Sequence, residues 1–308
     1  MAAKRCGKKQ KTDIVVGDFV EISDDGCYIV KRLKRTNSIL RPKAANIDIA
    51  LVVTSFKEPD LDYIQLNRYL IYLKYNKINA AICINKEDLE DNLSFRTNEI
   101  IRIYKNLGYK IFFISAKGGN GIADIKKFIS NKTVVLCGQS GVGKTTMINA
   151  LIPNYMSKIN SVSLKTQRGR HSTRHCEIAR NENYKIIDTP GFSCLKFDFI
   201  LPEELIELFD DIKIYGANCK YVNCMHNTDK VSGCCVLNNI DKIESSRYQS
   251  YLEFLKETEK YKAEISKKGI KKESAFKNSG NILLTKISKR KRNSSRRVQK
   301  QKSEMYNE

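Results

Sequence analysis

The chain has 308 residues, 41% of them hydrophobic, which is enough for two or three domains and an ordinary buried core. Its formal net charge is +21, and such an excess of cations attracts polyanions, above all nucleic acid, although a Lys- and Asn-rich genome would produce part of it. Because the sequence has no apolar run of about 18 residues and no signal-peptide pattern, we expect a cytoplasmic protein without a membrane partner.

The N-terminal 45 residues are basic and carry short alternating patterns. Residues 15–22 alternate around a Gly-Asp turn, and residues 27–30 are typical of the next strand, which predicts a small β-barrel or part of one. From about residue 46 the pattern changes to short apolar runs separated by amphipathic helices. The predicted strands are 47–54, 80–84, 110–114, 134–137 and 184–187, and the first predicted helices are 63–75 and 95–107.

This alternation predicts an α/β fold, in which a parallel sheet has helices on both faces and ligands bind at the carboxyl ends of the strands. Beyond Pro202 the pattern is helical, and a charged helix is predicted for about 240–265 after a cysteine-rich segment. Residues 286–302 hold nine basic residues and no acidic one, a composition typical of a disordered tail.

Residues 138–145 (GQSGVGKT) match the phosphate loop G-x-x-x-x-G-K-[ST], and a strand-like run precedes them while a helical pattern follows. In such a loop the backbone N–H groups turn towards the phosphates, Lys144 reaches the β- and γ-phosphates, and the Thr145 hydroxyl binds Mg²⁺. The alternative is a glycine-rich turn without a ligand, and the strand–loop–helix setting opposes it.

The segment 85–88 (NKED) follows a predicted strand and selects guanine over adenine. The Asp88 carboxylate can accept hydrogen bonds from both N1 and the exocyclic N2 of guanine, and adenine offers no such pair of donors. Asn85 would bind the purine and the neighbouring loop, and the Lys86 stem would cover the ring. An Asn-Lys-x-Asp match alone is weak, because these residue types are common in this chain.

Two further motifs end predicted strands. Ser-Ala-Lys at 115–117 would place the Ala116 N–H at guanine O6, and Asp188-Thr-Pro-Gly191 would hold Mg²⁺ through water and sense the γ-phosphate. The residues expected to bind GTP are therefore Asn85, Lys86, Glu87, Asp88, Ser115, Ala116, Lys117, Gly138, Gln139, Ser140, Gly141, Val142, Gly143, Lys144, Thr145 and Thr146.

The order of these motifs is that of a circularly permuted GTPase. In Ras-like GTPases the phosphate loop comes first, whereas here the guanine motifs precede it. The chain after Asp188 leads directly into the C-terminal region, so we expect a nucleotide-dependent change of this segment to reach that region.

The sequence identifies the catalytic residues less clearly than the nucleotide-binding residues. Phe192 occupies the position where Ras-like enzymes carry a water-orienting glutamine, so intrinsic hydrolysis is expected to be slow unless another group replaces it. Residues 168–173 lie where the first switch belongs; Ser172 or Thr173 could bind Mg²⁺, and His171 could position water or be a solvated loop residue. The candidate catalytic residues are His171, Thr173, Asp188 and Gly191.

The chain has ten cysteines, and in a reducing cytosol they are not expected to form disulfides. Cys83 and Cys137 lie inside apolar runs and are expected to be buried small hydrophobic residues. A closed tetrahedral zinc site is indicated by the four potential ligands Cys219, Cys224, His226 and Cys234. The alternative is a cluster of free thiols. Cys235 is adjacent to Cys234, and one of the two is spare.

Together, the motifs at 85–88, 138–146, 170–173 and 188–192 and the Cys/His cluster resemble the ribosome small-subunit-dependent GTPase A family, over residues 16 to about 255. The resemblance implies an N-terminal OB-like barrel, a permuted G domain and a helical zinc-binding domain. It also implies GTP hydrolysis with Mg²⁺, one structural Zn²⁺, and binding to the 30S ribosomal subunit and its 16S rRNA late in assembly.

On this resemblance the expected division is a partial barrel at 1–45 that lacks its first strands, a GTPase domain at 46–200, a zinc domain at 201–285 and a basic tail at 286–308. The segment between His226 and Cys234 is two residues longer than the family's usual five, so the choice between Cys234 and Cys235 stays open. The choice between Ser172 and Thr173 also stays open. A monomer is the default expectation.

Three alternative functions share some of these sequence features. A permuted GTPase of the large subunit should carry Pro-Asn in its phosphate loop and no such zinc cluster. A nucleotide-gated rRNA-binding factor with negligible turnover is kept open by Phe192. A P-loop ATPase is opposed by Asn85, Asp88 and the Ser-Ala-Lys element.

Overall fold

The computed structural model describes residues 4–5, 13–40, 43–153, 155, 177–188, 195–221, 223–227, 233–267, 276–279 and 282–285. The predicted tail at 286–308 lies outside these ranges. Among the helices in the described ranges, none combines the length and apolarity needed to span a bilayer.

The N-terminal strands form two small sheets. Strands β1 (Lys4–Arg5), β2 (Val20–Ile22) and β3 (Tyr28–Arg32) pair in the order β1-β3-β2, and β4 (Ser38–Leu40) pairs antiparallel with β5 (Lys43–Ala45). A register shift interrupts the pairing of β2 with β3, and such an irregularity bends a strand. Within the described residues these sheets do not close on each other, so the OB-like barrel is not shown and stays a prediction.

A six-stranded sheet forms the centre of the molecule, in the order β10-β11-β9-β6-β7-β8. Its strands are β6 (Ile49–Ser55), β7 (Ala80–Asn85), β8 (Lys110–Phe113), β9 (Thr133–Cys137), β10 (Glu177–Arg180) and β11 (Lys185–Asp188). All pairs are parallel except β10 with β11. The predicted parallel α/β fold is therefore confirmed, with an antiparallel edge strand that the sequence patterns did not reveal.

Helices cover both faces of this sheet. They are α1 (Tyr63–Tyr75), α2 (Leu93–Tyr104), α3 (Ile122–Phe128) and α4 (Lys144–Leu151). Strand β6 is buried along its whole length, and its alternating side chains divide between two cores, one with α1 and α2 and the other with α3 and α4. Cys83 and Cys137 are fully buried, as predicted.

The C-terminal helices pack on the same core as α1. They are α5 (Pro202–Ile206), α6 (Asp210–Gly216) and α7 (Ser245–Lys267), and a hairpin of β12 (Phe276–Ser279) and β13 (Ile282–Thr285) follows. The aromatic rings of Phe197, Phe209 and Phe254 are buried between these helices and α1. The helices predicted after Pro202 and near 240–265 are thus confirmed.

A buried polar network joins α7 to α1, α2 and α6. Arg247 on α7 donates to both carboxylate oxygens of Asp211, at 2.9 and 3.1 Å, and to Asn67 Oδ1 at 2.9 Å. Asn67 Oδ1 also accepts from the Tyr104 hydroxyl at 3.0 Å, while its amide nitrogen donates to Ser250 Oγ at 2.9 Å. Because the Arg247 side chain is only 2% exposed, its charge depends on these partners.

We expect Arg247→Ala to lower the free energy of unfolding by about 3–5 kcal/mol, because it leaves Asp211 and Asn67 without their buried partner. Chemical denaturation measures this change. The control is Arg102→Ala, which removes a 2.7 Å ion pair with Glu244 whose arginine side chain is 65% exposed, and which should cost less than about 1 kcal/mol. Equal losses in the two variants would contradict the structural role of the network.

Candidate functional site

The phosphate loop connects β9 to α4 and lies against β6. Gly138 has a φ of +148°, and a Cβ atom there would lie 2.1 Å from the Val53 carbonyl oxygen, so only glycine fits. Lys144 Nζ donates to the carbonyl oxygens of Gly138 at 2.8 Å and Gln139 at 2.5 Å. Burial lowers the pKa of Lys144, and the nearby Asp188 carboxylate opposes this shift. The loop therefore presents its lysine beside the Asp188 carboxylate.

One side chain joins three of the motifs. Asn85, at the end of β7, donates from Nδ2 to the Val142 carbonyl of the phosphate loop at 2.8 Å and accepts at Oδ1 from the Ala116 N–H at 2.9 Å. It is 2% exposed. A Cβ atom at Gly143 would lie 2.3 Å from Asn85 Nδ2, which explains the glycine at that position. The guanine motifs and the phosphate loop are thus held at one edge of the sheet.

The remaining guanine-motif residues surround this contact. Lys86 has a left-handed backbone and its ammonium donates to the Glu58 carbonyl oxygen. Asp88 is exposed in the 3-10 turn Glu87–Leu89, where its carboxylate is accessible to a ligand. Ser115 is buried, and its hydroxyl accepts from the Gly118 N–H at 2.9 Å, which shapes the Ser-Ala-Lys loop.

A groove of about 720 Å³ opens beside these motifs. It lies between the Ser-Ala-Lys loop, α3 and the first turns of α4, and its walls include Ala116, Lys117, Ile122, Lys126, Thr146 and Asn149. Thr145 and Thr146 are exposed in the first turn of α4. The two lysines on its wall, Lys117 and Lys126, would attract an anionic ligand to the side of the Ser-Ala-Lys loop.

The structure thus brings together the predicted residues 85–88, 115–117 and 138–146, with Asp188 at the end of β11. Strand β11 pairs directly with β9, the strand that leads into the phosphate loop. His171, Ser172, Thr173, Gly191 and Phe192 lie outside the described residues, so their predicted roles remain predictions.

Sequence reasoning missed the segment between β6 and α1. Asp62 caps α1 by accepting from the Gln65 N–H at 3.0 Å, and its other carboxylate oxygen accepts from the Gln139 side chain in the phosphate loop at 3.3 Å. The capping position of an aspartate before a helical pattern was a readable signal. The contact of Asp62 with the phosphate loop could not be predicted, because Asp62 and Gln139 are far apart in the sequence.

A second site lies between α6 and α7. Among the described residues, the side chains of Cys219, Cys224, His226 and Cys234 bring their ligand atoms within 4.8 Å of one another. The Sγ atoms of Cys219 and Cys234 are 3.9 Å apart, and they lie 3.6 and 3.5 Å from His226 Nδ1. The edges of a tetrahedron around zinc should measure about 3.8 Å between sulfurs and about 3.6 Å between sulfur and nitrogen, so the geometry fits.

The adjacent cysteines have different surroundings. Cys234 is buried in the cluster, whereas Cys235 directs its thiol to the Asn218 carbonyl at 3.0 Å and donates its N–H to Cys219 Sγ at 3.2 Å. The structure therefore brings Cys234, rather than Cys235, into the cluster.

Burial keeps the ligand groups of the cluster uncharged when no cation is bound. Burial lowers the pKa of His226 to about 4, so its ring is neutral at pH 7, as ligation requires. Burial also raises the pKa of the Cys219 thiol to about 12, so a cation is needed to stabilise its thiolate.

Tyr248 and Tyr251 on α7 donate to the carbonyls of His226 at 2.7 Å and Met225 at 2.6 Å, which fixes this loop to the helix.

Comparisons with known proteins agree with these motifs. A family model described as RsgA GTPase matches residues 32–198, and one described as 50S ribosome-binding GTPase matches residues 133–269. The chain is 36% identical over 261 residues to the small ribosomal subunit biogenesis GTPase RsgA of Clostridium botulinum strain Loch Maree, covering 82% of this chain and 88% of the relative. For the protein of that name from Bacillus pumilus, the identity is 37% over 257 residues, with coverage of 81% and 86%.

Two solved structures have the same fold. The crystal structure of YjeQ from Thermotoga maritima gives a TM-score of 0.68 at 30% identity and covers 83% of this chain and 89% of its own. The structure of YloQ, described as a circularly permuted GTPase, gives 0.67 at 31% identity, with coverage of 84% and 86%. With guanine motifs that precede its phosphate loop in the sequence and meet it in space, the chain belongs to the RsgA GTPase family of circularly permuted GTPases.

Proposed function

We propose that this GTPase acts in the cytoplasm on the 30S ribosomal subunit, binds its 16S rRNA, and hydrolyses GTP to GDP and phosphate late in small-subunit assembly. The observation that carries the nucleotide part is the Asn85 side chain, which ties the guanine motifs to the phosphate loop through bonds of 2.8 and 2.9 Å. The relatives' name, small ribosomal subunit biogenesis GTPase, and the net charge of +21 support the ribosomal part.

In the proposed complex Asp88 accepts from guanine N1 and N2, and the Ala116 N–H donates to O6. Lys144 leaves the loop carbonyls that it contacts in this structure and pairs with the β- and γ-phosphates. Bound Mg²⁺ would neutralise charge developing on those phosphates. Thr145 is the residue that would ligate it directly, and Asp188 would hold it through water.

For hydrolysis we propose that His171 positions the attacking water and that Thr173 of the first switch binds Mg²⁺. The Gly191 N–H would contact the γ-phosphate. The supporting observation is the sequence itself, because Phe192 cannot orient water as a glutamine does.

For the cysteine cluster we propose one structural Zn²⁺ held by Cys219, Cys224, His226 and Cys234. Four protein ligands leave no open position, so the ion would stabilise the region around residues 219–235 and take no part in hydrolysis. We also propose that the protein is a monomer and that its chain divides into the domains expected from the sequence, at 1–45, 46–200, 201–285 and 286–308.

The guanine assignment predicts that Asp88→Asn changes nucleotide preference. The new amide presents a donor where guanine also has donors, so GTP affinity should fall roughly 100-fold or more, while xanthosine triphosphate, with an oxygen at C2, should gain affinity. Competition binding with fluorescent nucleotides measures both. Asp91→Asn, at an exposed ion pair with Lys57, is the matched control, and no change of preference in the Asp88 variant would refute the assignment.

The metal assignment predicts that Cys234→Ser and Cys235→Ser behave differently. Purified wild-type protein and Cys235→Ser should each contain about one zinc ion, and Cys234→Ser should retain little, because only Cys234 directs its thiol into the cluster. Elemental analysis of the dialysed proteins provides the measurement. Equal zinc contents in the two variants would mean that the cluster is not the site.

The ribosomal assignment predicts that 30S subunits raise the turnover number by at least roughly 10-fold and that 50S subunits do not, because a partner must supply or order the water-positioning group. Phosphate release at saturating GTP measures this effect. Stimulation by 50S alone would instead support a large-subunit factor. Binding to 30S without hydrolysis would favour a nucleotide-gated rRNA-binding factor.

A further inference from the structure

A carboxylate on α7 holds the chain that follows β11. Glu257 Oε2 accepts a hydrogen bond from the Phe197 backbone N–H at 2.9 Å and another from Arg68 NH1 at 2.8 Å. Phe197 lies in the segment that leads from Asp188 into the C-terminal helices. One oxygen therefore joins three parts of the molecule: α1, α7 and the chain that continues from the nucleotide site.

Arg68 is enclosed by the groups that it connects. Its side chain is 7% exposed, and its guanidinium carbon lies 4.4 Å from the centre of the Phe254 ring and 5.5 Å from that of Phe197. Glu253 forms a second ion pair with it at 3.2 Å but is more exposed than Glu257, at 45% against 27%. Glu253 thus shares the arginine with Glu257, while only Glu257 reaches the Phe197 backbone.

The same helix that carries Arg68 begins at the phosphate loop. Asp62, the residue that caps α1, accepts from Gln139 of that loop at 3.3 Å. Arg68 lies further along α1 and is paired with Glu257. Phe197, nine positions after Asp188, and Gln139 of the phosphate loop therefore both lie against α1.

The bond to Phe197 constrains the backbone itself. Because it uses a main-chain N–H and an ionised acceptor, it fixes the path of the chain independently of the side chain at 197. Exchanging a largely buried ion pair for apolar packing changes stability little, whereas removing one partner is costly, so a role in geometry has to be measured by kinetics and hydrogen exchange as well as by stability. A displacement of about 1 Å at groups that position a substrate can cost roughly 100-fold in rate.

We propose that Glu257 is a positioning residue for GTP hydrolysis, acting through the Phe197 backbone to hold the chain that follows Asp188 in register with the phosphate loop. The proposal rests on the proposed function, since it assigns Asp188 to the nucleotide site. Glu257 touches neither nucleotide nor metal in this role. Its loss should affect the catalytic step and leave ground-state binding of GDP largely intact.

The test compares Glu257→Ala with Glu253→Ala in the full-length protein. Glu257→Ala should lower kcat at saturating GTP roughly 10-fold, with GDP affinity within about twofold of wild type, because the misplacement acts on the reacting geometry. Hydrogen exchange in peptides covering 195–200 should become faster, since the Phe197 N–H loses its acceptor. Glu253→Ala should leave kcat and this exchange close to wild type.

Glu257→Gln separates positioning from folding. It keeps an acceptor oxygen for Phe197, but a neutral and therefore weaker one, and it loses the ion pair with Arg68. Its kcat and its hydrogen exchange at 195–200 should therefore lie between those of wild type and Glu257→Ala. If Glu257→Ala does not fold, Glu257→Gln must still exchange faster at 195–200 and turn over more slowly than Glu253→Gln.

Two results would overturn the proposal. If the Glu257 and Glu253 variants agree in kcat and in exchange at 195–200, Glu257 does not position this segment, although GTP hydrolysis by the wild-type protein stands. If the wild-type protein neither binds nor hydrolyses GTP under conditions where it is folded, the proposed function fails, and this role of Glu257 fails with it.

Discussion

The candidate nucleotide site depends on the amide of Asn85. This side chain has a donor and an acceptor on one planar group, and it uses them for the Val142 carbonyl and the Ala116 N–H. Since Asn85 is 2% exposed, water cannot replace either bond. The loop that would read guanine and the loop that would hold phosphates therefore keep one spacing, although they belong to different strands. Gly143 leaves the space that this arrangement needs.

A small number of side-chain hydrogen bonds also links the sheet to the C-terminal helices. Helix α1 contacts the phosphate loop at its first turn, and its middle carries Asn67 and Arg68, which bind α7. The loop of the cysteine cluster is in turn attached to α7 by two tyrosine hydroxyls. A continuous set of hydrogen bonds thus runs from the phosphate loop to the cluster. Nucleotide-dependent coupling between the two sites stays a prediction, and these hydrogen bonds are the contacts through which it would act.

Much of this fold is readable from the sequence where the information is local. The parallel strands are apolar runs, four of the five end in functional motifs, and α1 has helical spacing from end to end. Strand β10 was missed because it has four residues with charged ends. Whether Cys234 or Cys235 joins the cluster depends on the direction in which each thiol points. The two side chains are chemically identical, so the sequence alone does not distinguish them. The pairing of Arg68 with Glu257 spans 189 positions, and no local pattern encodes it.

The permuted order also affects how the chain can fold during synthesis. Strands β6, β7 and β8 are consecutive in the sequence and adjacent in the sheet, and only one helix separates each from the next, so they can pair as they leave the ribosome. The fully buried β6 then offers its other edge to β9, and β11 adds beyond it. The guanine-reading half of the sheet can therefore serve as a template for the phosphate-binding half, which is the reverse of the order in which a Ras-like chain is made.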